Sequence, residues 1–375
     1  MPRLAIDRST ATTVEIDGRE LLYFGGCGYL GLAHHPEVVR ALHDGLARHG
    51  ISSGASRETS GNSCEHDALE TELAQWLGCE SVLLLPDGAT ANLALAQGIA
   101  GFVRAASIDE LAHPTLSDSA AAAGLVVNRH EHLHRGSLPV FGSRRGWWFN
   151  HPGPSSDVAL MTDTVFPSRG EIAPIRELVD DLESHDGLLV LDDCHGTGVI
   201  GASGRGALEY AGIRNDRVLV TSTLSKALGC YGGLVAGSRS WIGRIRERSQ
   251  TYIGTTPIPP AVAAAARVAS RLAFANGELV GRLRANIEHF RSAVDGLFAL
   301  SPHTELPVFG FALETSERMQ SVHDKLRADG ILAPYVHYPG GAENGNFRIV
   351  VTAAHTFEQI DRLAGALRRR LGEAR

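Results

Sequence analysis

Four short apolar runs stand out along the first two thirds of the chain: SVLLLP at 81–86, DVALMTD at 157–163, GLLVLDDC at 187–194 and RVLVTST at 217–223. Each is continuously apolar rather than alternating, so each predicts a strand buried on both faces, and each gives way to a loop with Gly, Ser, Thr or His. Between the runs the apolar spacing becomes helical. HPEVVRALHDGLARHG (35–50) and CEHDALETELAQWLG (64–78) precede the first strand, and a long helical stretch over 259–300 breaks near Asn276 and Gly277. Strands and helices in this order predict an α/β fold, with a mainly parallel sheet covered by helices on both sides. Ligands in such sheets bind at the carboxyl ends of the strands, so the polar residues that matter should follow the apolar runs.

After residue 300 the pattern changes to a strand-like LPVFGFALE, a helix from Glu317 to Asp329, a second strand FRIVVTAA and a final helix, TFEQIDRLAGALRRRLG. These elements predict a small α+β domain. The expected division is an N-terminal segment over 1–33, a large domain over 34–265 and a small domain over 266–375. HPGPSSD, at 151–157, reads as a surface loop, and Arg368, Arg369 and Arg370 as the solvated end of the last helix.

At 375 residues, with 43% hydrophobic and 21% charged residues, the chain can bury a substantial core. A net charge of −7 without a long basic block argues against nucleic acid or an anionic membrane as partner. The first residues, MPRLAIDRSTATTVEIDG, are too polar for a signal peptide, and no apolar run reaches membrane-spanning length, so a cytoplasmic location is expected. Five cysteines, Cys27, Cys64, Cys79, Cys194 and Cys230, are widely spaced without a CxxC pair, which predicts neither a disulfide framework nor a metal site.

Three loops carry the candidate chemistry. After the first strand, DGATAN places Gly88 and Ala89 at the start of a helix whose free amides could hold a phosphate. After the third come Asp192, Asp193, Cys194 and His195, and after the fourth comes TSTLSKALGCYGG, with Thr223 and a single lysine, Lys226. Taken singly, the aspartate could cap a helix and the threonine could form a turn. Taken together at the ends of neighbouring strands, they match what pyridoxal phosphate requires: a lysine to carry it, a carboxylate for its ring nitrogen, and hydroxyls with helix-start amides for its phosphate.

The motifs around these loops run in a familiar order. YFGGCGYLGLAHHPEV, GISSGASRETSGNSCEHDALETELAQWLG, DELAHP, LDDCHGTGVIGASGRGALEYAGI, TLSKALG, GTTPIPPA and FRIVVTAAHT follow one another along the chain. From about Tyr23 to the last helix the sequence resembles the α-oxoamine synthase family of pyridoxal-phosphate enzymes. That resemblance implies the fold-type I, aspartate aminotransferase-like architecture. It also implies condensation of an amino acid with an acyl-CoA or other acyl thioester, usually with loss of carbon dioxide. By the same resemblance, His113 would stack on the cofactor ring and His195 would bond its phenolic oxygen. Arg348 would hold the amino-acid carboxylate. Thr256 would reach the phosphate of a neighbouring subunit's cofactor, which implies a homodimer.

The sequence departs from the family around the substrate. Cys27 stands where the family usually has an asparagine that helps to hold the carboxylate, and a thiol is a poor donor. Pro167 stands where a serine is usual, with Ser168 beside it. HEH at 130–132 replaces the family's HND, and Cys194 takes a position that is commonly alanine. These changes leave a second expectation open: another pyridoxal-phosphate reaction, namely an aminotransferase, a decarboxylase or a carbon–carbon bond-forming enzyme. A purely binding subunit would lack the lysine, and Lys226 is present.

Overall fold

A computed structural model describes residues 4–133, 158–183, 187–275, 277–337 and 342–372. The loop expected at 151–157 lies outside these residues, as does Asn276. The central sheet contains β1 (Ser81–Leu85), β2 (Ala105–Asp109), β3 (Val126–His130), β4 (Val158–Asp163), β5 (Leu188–Asp192), β6 (Val218–Thr223) and β7 (Gly233–Gly237). Their order is β1-β7-β6-β5-β4-β2-β3, parallel throughout except for β7, which runs antiparallel to both neighbours.

The apolar runs are continuous because alternate side chains enter two separate cores. Leu84, Leu189, Leu191 and Val220 face helices Pro36–His49, Cys64–Leu77 and Pro260–Phe274. Leu83, Leu85, Leu188, Val190 and Leu219 face helices Gly88–Ile99, Pro114–Ala122 and Arg239–Arg248. At about 25 cal/mol per Å² of apolar surface, this two-sided burial is the main force holding the sheet between its helices.

Three strands, β2, β3 and β7, are not evident from the sequence. In β2 the sequence is AASID, too small and mixed to read as a strand although all five residues are buried. In β3, VVNRH, most positions are only partly buried, as an edge strand allows. In β7, GLVAG reads as part of a turn. Gly233 is required there: a Cβ would sit 2.0 Å from the Asp87 carbonyl oxygen, where the strand passes the start of helix Gly88–Ile99.

The helix break falls at Gly277, with φ of 66°, between Pro260–Phe274 and Glu278–Ala293. Beyond it, antiparallel strands Val308–Phe311, Asn346–Val350 and Tyr335–Val336 pack with helices Ser316–Ala328 and Phe357–Gly372. Arg370 at the end of the last helix is not simply solvated; it makes a forked pair with Asp329, at 3.0 and 2.7 Å. The N-terminal segment joins this unit: a hairpin of Thr13–Ile16 and Arg19–Tyr23 continues into Ile331–Leu332, which lies parallel to its second strand. The chain then runs along Asn346–Val350, with Val350 N–H donating to Phe24 O at 2.9 Å and Ala353 N–H to Tyr29 O at 2.8 Å. Residues 24–31 are thereby carried to the carboxyl end of the large sheet.

His355 pins this crossing. Its ring stacks on Phe24 with centroids 4.3 Å apart, Nε2 lies 3.1 Å from Tyr23 O, and Nδ1 accepts from Thr352 N–H at 3.0 Å. The neutral ring satisfies both contacts, and burial pushes its pKa from 6.5 down to about 4. Between those values the unfolded chain binds a proton that the folded chain refuses. The stabilisation is therefore complete above the unfolded pKa and is lost as pH falls toward about 4, a change on the order of 3 kcal/mol. Urea unfolding across this window should show stability falling more steeply with acid in the native chain than in His355→Gln, by roughly one proton. Identical slopes would mean that His355 is not held neutral.

Candidate active site

The carboxyl ends of β4, β5 and β6 and the start of helix Gly88–Ile99 enclose one pocket, lined among others by Gly88, Ala89, His113, Asp192, Thr223 and Lys226. Asp87 starts the helix with a capping box: its carboxylate accepts from Thr90 N–H at 2.8 Å and its own N–H donates to Thr90 Oγ1 at 2.9 Å. The amides that follow remain free to face the pocket. Gly88 lies close to the wall opposite, where a Cβ would come within 3.2 Å of Cys194 Sγ and 3.6 Å of Thr223 Cβ.

Asp192 is the last residue of β5 and is 7% exposed. One oxygen accepts from Cys194 N–H at 3.0 Å and the other from Asn92 Nδ2 at 2.9 Å. Asn92 is itself held by Thr221, whose hydroxyl donates to Asn92 Oδ1 at 2.6 Å. The amide also reaches Thr115 Oγ1 at 3.1 Å, and Thr115 lies 2.8 Å from His113 Nδ1. His113 sits at the pocket rim as the N-cap residue of helix Pro114–Ala122, and its backbone N–H donates to both oxygens of Asp163, at 3.1 and 3.2 Å. Asp163 is paired in register with Asp192; burial, then that neighbouring charge, hold its carboxyl well above the usual range.

Asp193 points the other way. Its carboxylate accepts from Thr164, from Thr197 at 2.8 Å and from Ala207 N–H at 3.1 Å, and burial raises its pKa to about 7. It braces the loop that follows β5 rather than serving the pocket. Two residues on, His195 points inward, with Nε2 2.8 Å from Lys226 Nζ and Nδ1 2.7 Å from the Tyr29 hydroxyl. Burial first, then the positive charges of Lys226 and Arg348, hold its pKa well below 6.5. Thr223 donates to Gly232 O at 2.9 Å, which closes the loop that carries Lys226, and its Oγ1 lies 2.8 Å from Ser225 Oγ.

Arg348, on strand Asn346–Val350, is 8% exposed. One guanidinium nitrogen donates to Gly26 O at 2.9 Å and another lies 3.3 Å from Cys27 Sγ. The two substrate-side residues expected from sequence are thus in contact with each other. Thr256 is exposed on the segment before helix Pro260–Phe274 and does not line this pocket. Pro167 follows the short strand Val165–Phe166, which pairs with Glu171–Ile172. The histidine of HEH nearest this hairpin ties it down: His132 Nδ1 lies 2.9 Å from Asp109 Oδ1, its Nε2 lies 2.9 Å from Glu171 Oε2, and its ring meets Phe166 edge-on.

The sequence reading missed Asn92, Thr115, Asp163 and Tyr29. Asn92 stands four residues after Gly88, one helical turn, so its direction toward the pocket follows from helix geometry. Asp163 ends its apolar run just as Asp192 does. Tyr29 gives no such signal. Among the described residues there is no cluster of side chains suited to a metal ion and no helix long and apolar enough to cross a membrane.

The family model for aminotransferase class I and II matches residues 21–367. An 8-amino-7-oxononanoate synthase of Methylococcus capsulatus is 35% identical over 97% of this chain and 93% of its own length. One from Xylella fastidiosa is 37% identical over 98% of this chain and 90% of its own. Among solved structures, serine palmitoyltransferase of Sphingomonas wittichii superposes with a TM-score of 0.89 at 22% identity, covering 99% of this chain and 93% of that one.

Proposed function

We propose, from the premise that the chain belongs to the aminotransferase class I and II family and within it to the α-oxoamine synthases, that it uses pyridoxal phosphate to join an amino acid to an acyl thioester and release an aminoketone. The observation that carries this reading is the meeting of Lys226, Asp192 and the open start of helix Gly88–Ile99 in one pocket. The pocket fits the cofactor by the chemistry of these groups: an amine, a buried carboxylate fixed from two sides, and a cradle of amides that a side chain at Gly88 would crowd.

When bound, pyridoxal phosphate supplies a ring that accepts the electrons left on the α-carbon after a proton or carbon dioxide departs. Lys226 would carry the cofactor and is the amine placed to take and return the α-proton. Asp192, fixed in position by Asn92 and the Cys194 amide, would hold a proton on the ring nitrogen. The amides of Gly88 and Ala89 would hold the phosphate, joined by Thr223 once its hydroxyl turns from Gly232 O. His113 would cover one face of the ring, and His195 would serve its phenolic oxygen.

Arg348 binds the amino-acid carboxylate with its planar fork. Cys27 offers little direct hydrogen bonding there, so the carboxylate depends on the arginine more than it would with an amide at position 27. Substrates enter between the large unit (34–265) and the small unit (266–375), with the 1–33 segment bringing Cys27 to Arg348. We further infer a homodimer. The exposure of Thr256, and of Ile51 and Tyr231 at 80% and 53%, suits surfaces that a second copy covers. A cytoplasmic location accords with acyl-CoA as the thioester. The acid is a small one such as alanine, glycine or serine.

Titration of the cofactor-loaded protein with individual amino acids, followed by visible absorbance, tests this reading. One small amino acid should shift the spectrum saturably. A protein that gains no visible band on loading would overturn the cofactor assignment.

A further inference from the structure

Asp163, Asp192 and Thr221 stand side by side across β4, β5 and β6, paired in register. Their side chains share one face of the sheet, the face covered by helices Gly88–Ile99 and Pro114–Ala122. Asn92, 3% exposed and itself part of the pocket lining, reaches this row from the second turn of the first helix. Both of its amide hydrogens are used there. Nδ2 donates to Asp192 Oδ2 at 2.9 Å and to Thr115 Oγ1 at 3.1 Å, while Oδ1 accepts from the Thr221 hydroxyl at 2.6 Å. The two donations leave one nitrogen, so a rotation that disturbs one disturbs the other.

Thr115 passes the constraint on to the rim of the pocket. Its hydroxyl lies 2.8 Å from His113 Nδ1, and its backbone N–H donates to the same nitrogen at 3.3 Å. Asp192 ends a strand and His113 caps a helix from a different part of the chain, yet a single amide stands between them. Asn92 also lies four residues beyond Gly88, about 6 Å along the helix axis from the amides that open into the pocket. The cradle expected to hold the phosphate and the amide that fixes Asp192 therefore ride on one rigid helix. A serine or threonine at position 92 has one hydroxyl hydrogen and could not hold both partners.

We propose that Asn92 is the positioning residue of the cofactor site: it holds the Asp192 side chain and, through Thr115, the His113 ring in one frame with the phosphate cradle. This rests on the pyridoxal-phosphate reading, and it assigns to Asn92 an effect on cofactor binding that acts through those two groups alone.

The test measures, by calorimetry on full-length chains, the binding of deoxypyridoxine phosphate, which lacks the aldehyde and so cannot bond to Lys226. Asn92→Ala should weaken binding about tenfold or more in the otherwise native chain. In a chain already carrying Asp192→Ala and Thr115→Val the same substitution should cost less than about threefold, because Asn92 then has neither group to act through. With 15N in the analogue's ring, nitrogen NMR should show the bound signal in Asn92→Ala displaced from its native position toward that of the free, unprotonated analogue. Should Asn92→Ala fail to fold, Thr221→Val, which removes only the hydroxyl that holds the amide, gives the same comparison: a loss of about threefold in the otherwise native chain and none in the doubly substituted one. Equal losses in the two backgrounds, or a ring signal that does not move, would overturn the proposal while leaving the cofactor reading intact. A native chain that binds no analogue would overturn the cofactor reading, and the role of Asn92 with it.

Discussion

Lys226→Ala should leave a folded chain with no visible absorbance from covalently held cofactor and with turnover reduced on the order of 10⁴-fold or more. The effect is expected to be that large because no other amine can stand in. The 375-residue chain contains two lysines, and the other, Lys325, lies on helix Ser316–Ala328 of the small unit. Every other basic side chain apart from the histidines is arginine, which stays protonated and cannot form the bond. The substitution should fold, because the loop around Lys226 is held by Thr223 on the Gly232 carbonyl and by Cys230 N–H on Leu224 O, neither of which involves the lysine side chain. Borohydride trapping of the loaded native chain followed by peptide mapping gives the complementary result, with the cofactor on Lys226. Cofactor trapped on Lys325, or visible absorbance retained in Lys226→Ala, would contradict the assignment.

Asp192→Asn should load cofactor nearly as well as the native chain yet slow exchange of the amino acid's α-proton by about 10³-fold or more. The substitution keeps the size and shape of the side chain, and the new carboxamide oxygen can still accept from Asn92 or from the Cys194 amide. What it removes is the carboxylate that, in the proposed role, would keep the ring nitrogen protonated. Burial would still hold the Asp163 carboxyl up, but the second cause, the neighbouring Asp192 charge, would be gone, so Asp163 should ionise at a lower pH than in the native chain. Exchange by solvent deuterium, followed by proton NMR of the amino acid, measures the first effect without requiring the acyl substrate. Near-native exchange would remove Asp192 from the role given to it.

The fold was legible where burial on both sheet faces forces unbroken apolar runs, as in β4, β5 and β6, and where a helix carries a single stripe, as in Pro36–His49. It was illegible where small or glycine residues form strands for reasons of close approach. Gly233 belongs in β7 because the Asp87 carbonyl passes it, a fact that no local pattern records.

The site divides in the same way. Asp192, His195 and Lys226 follow strands, so parallel-sheet geometry brings them together, and reading along the chain finds them. Tyr29 and His195 are 166 residues apart, and Arg348 and Cys27 are 321 apart. These contacts arise only because the N-terminal hairpin pairs with Ile331–Leu332 and draws residues 24–31 across the sheet end. The replacement at Cys27 was visible as an oddity in the sequence. Its physical meaning, a thiol 3.3 Å from the Arg348 guanidinium, required the fold.

The central claim, that this chain joins an amino acid to an acyl thioester, is tested most directly by release of free thiol. The loaded enzyme, supplied with the amino acid that shifts its spectrum and with a series of acyl-CoA thioesters, should liberate coenzyme A with at least one of them, only when the amino acid is present and not in Lys226→Ala. A spectrum that shifts with the amino acid while no thioester is consumed across the series would contradict acyl transfer.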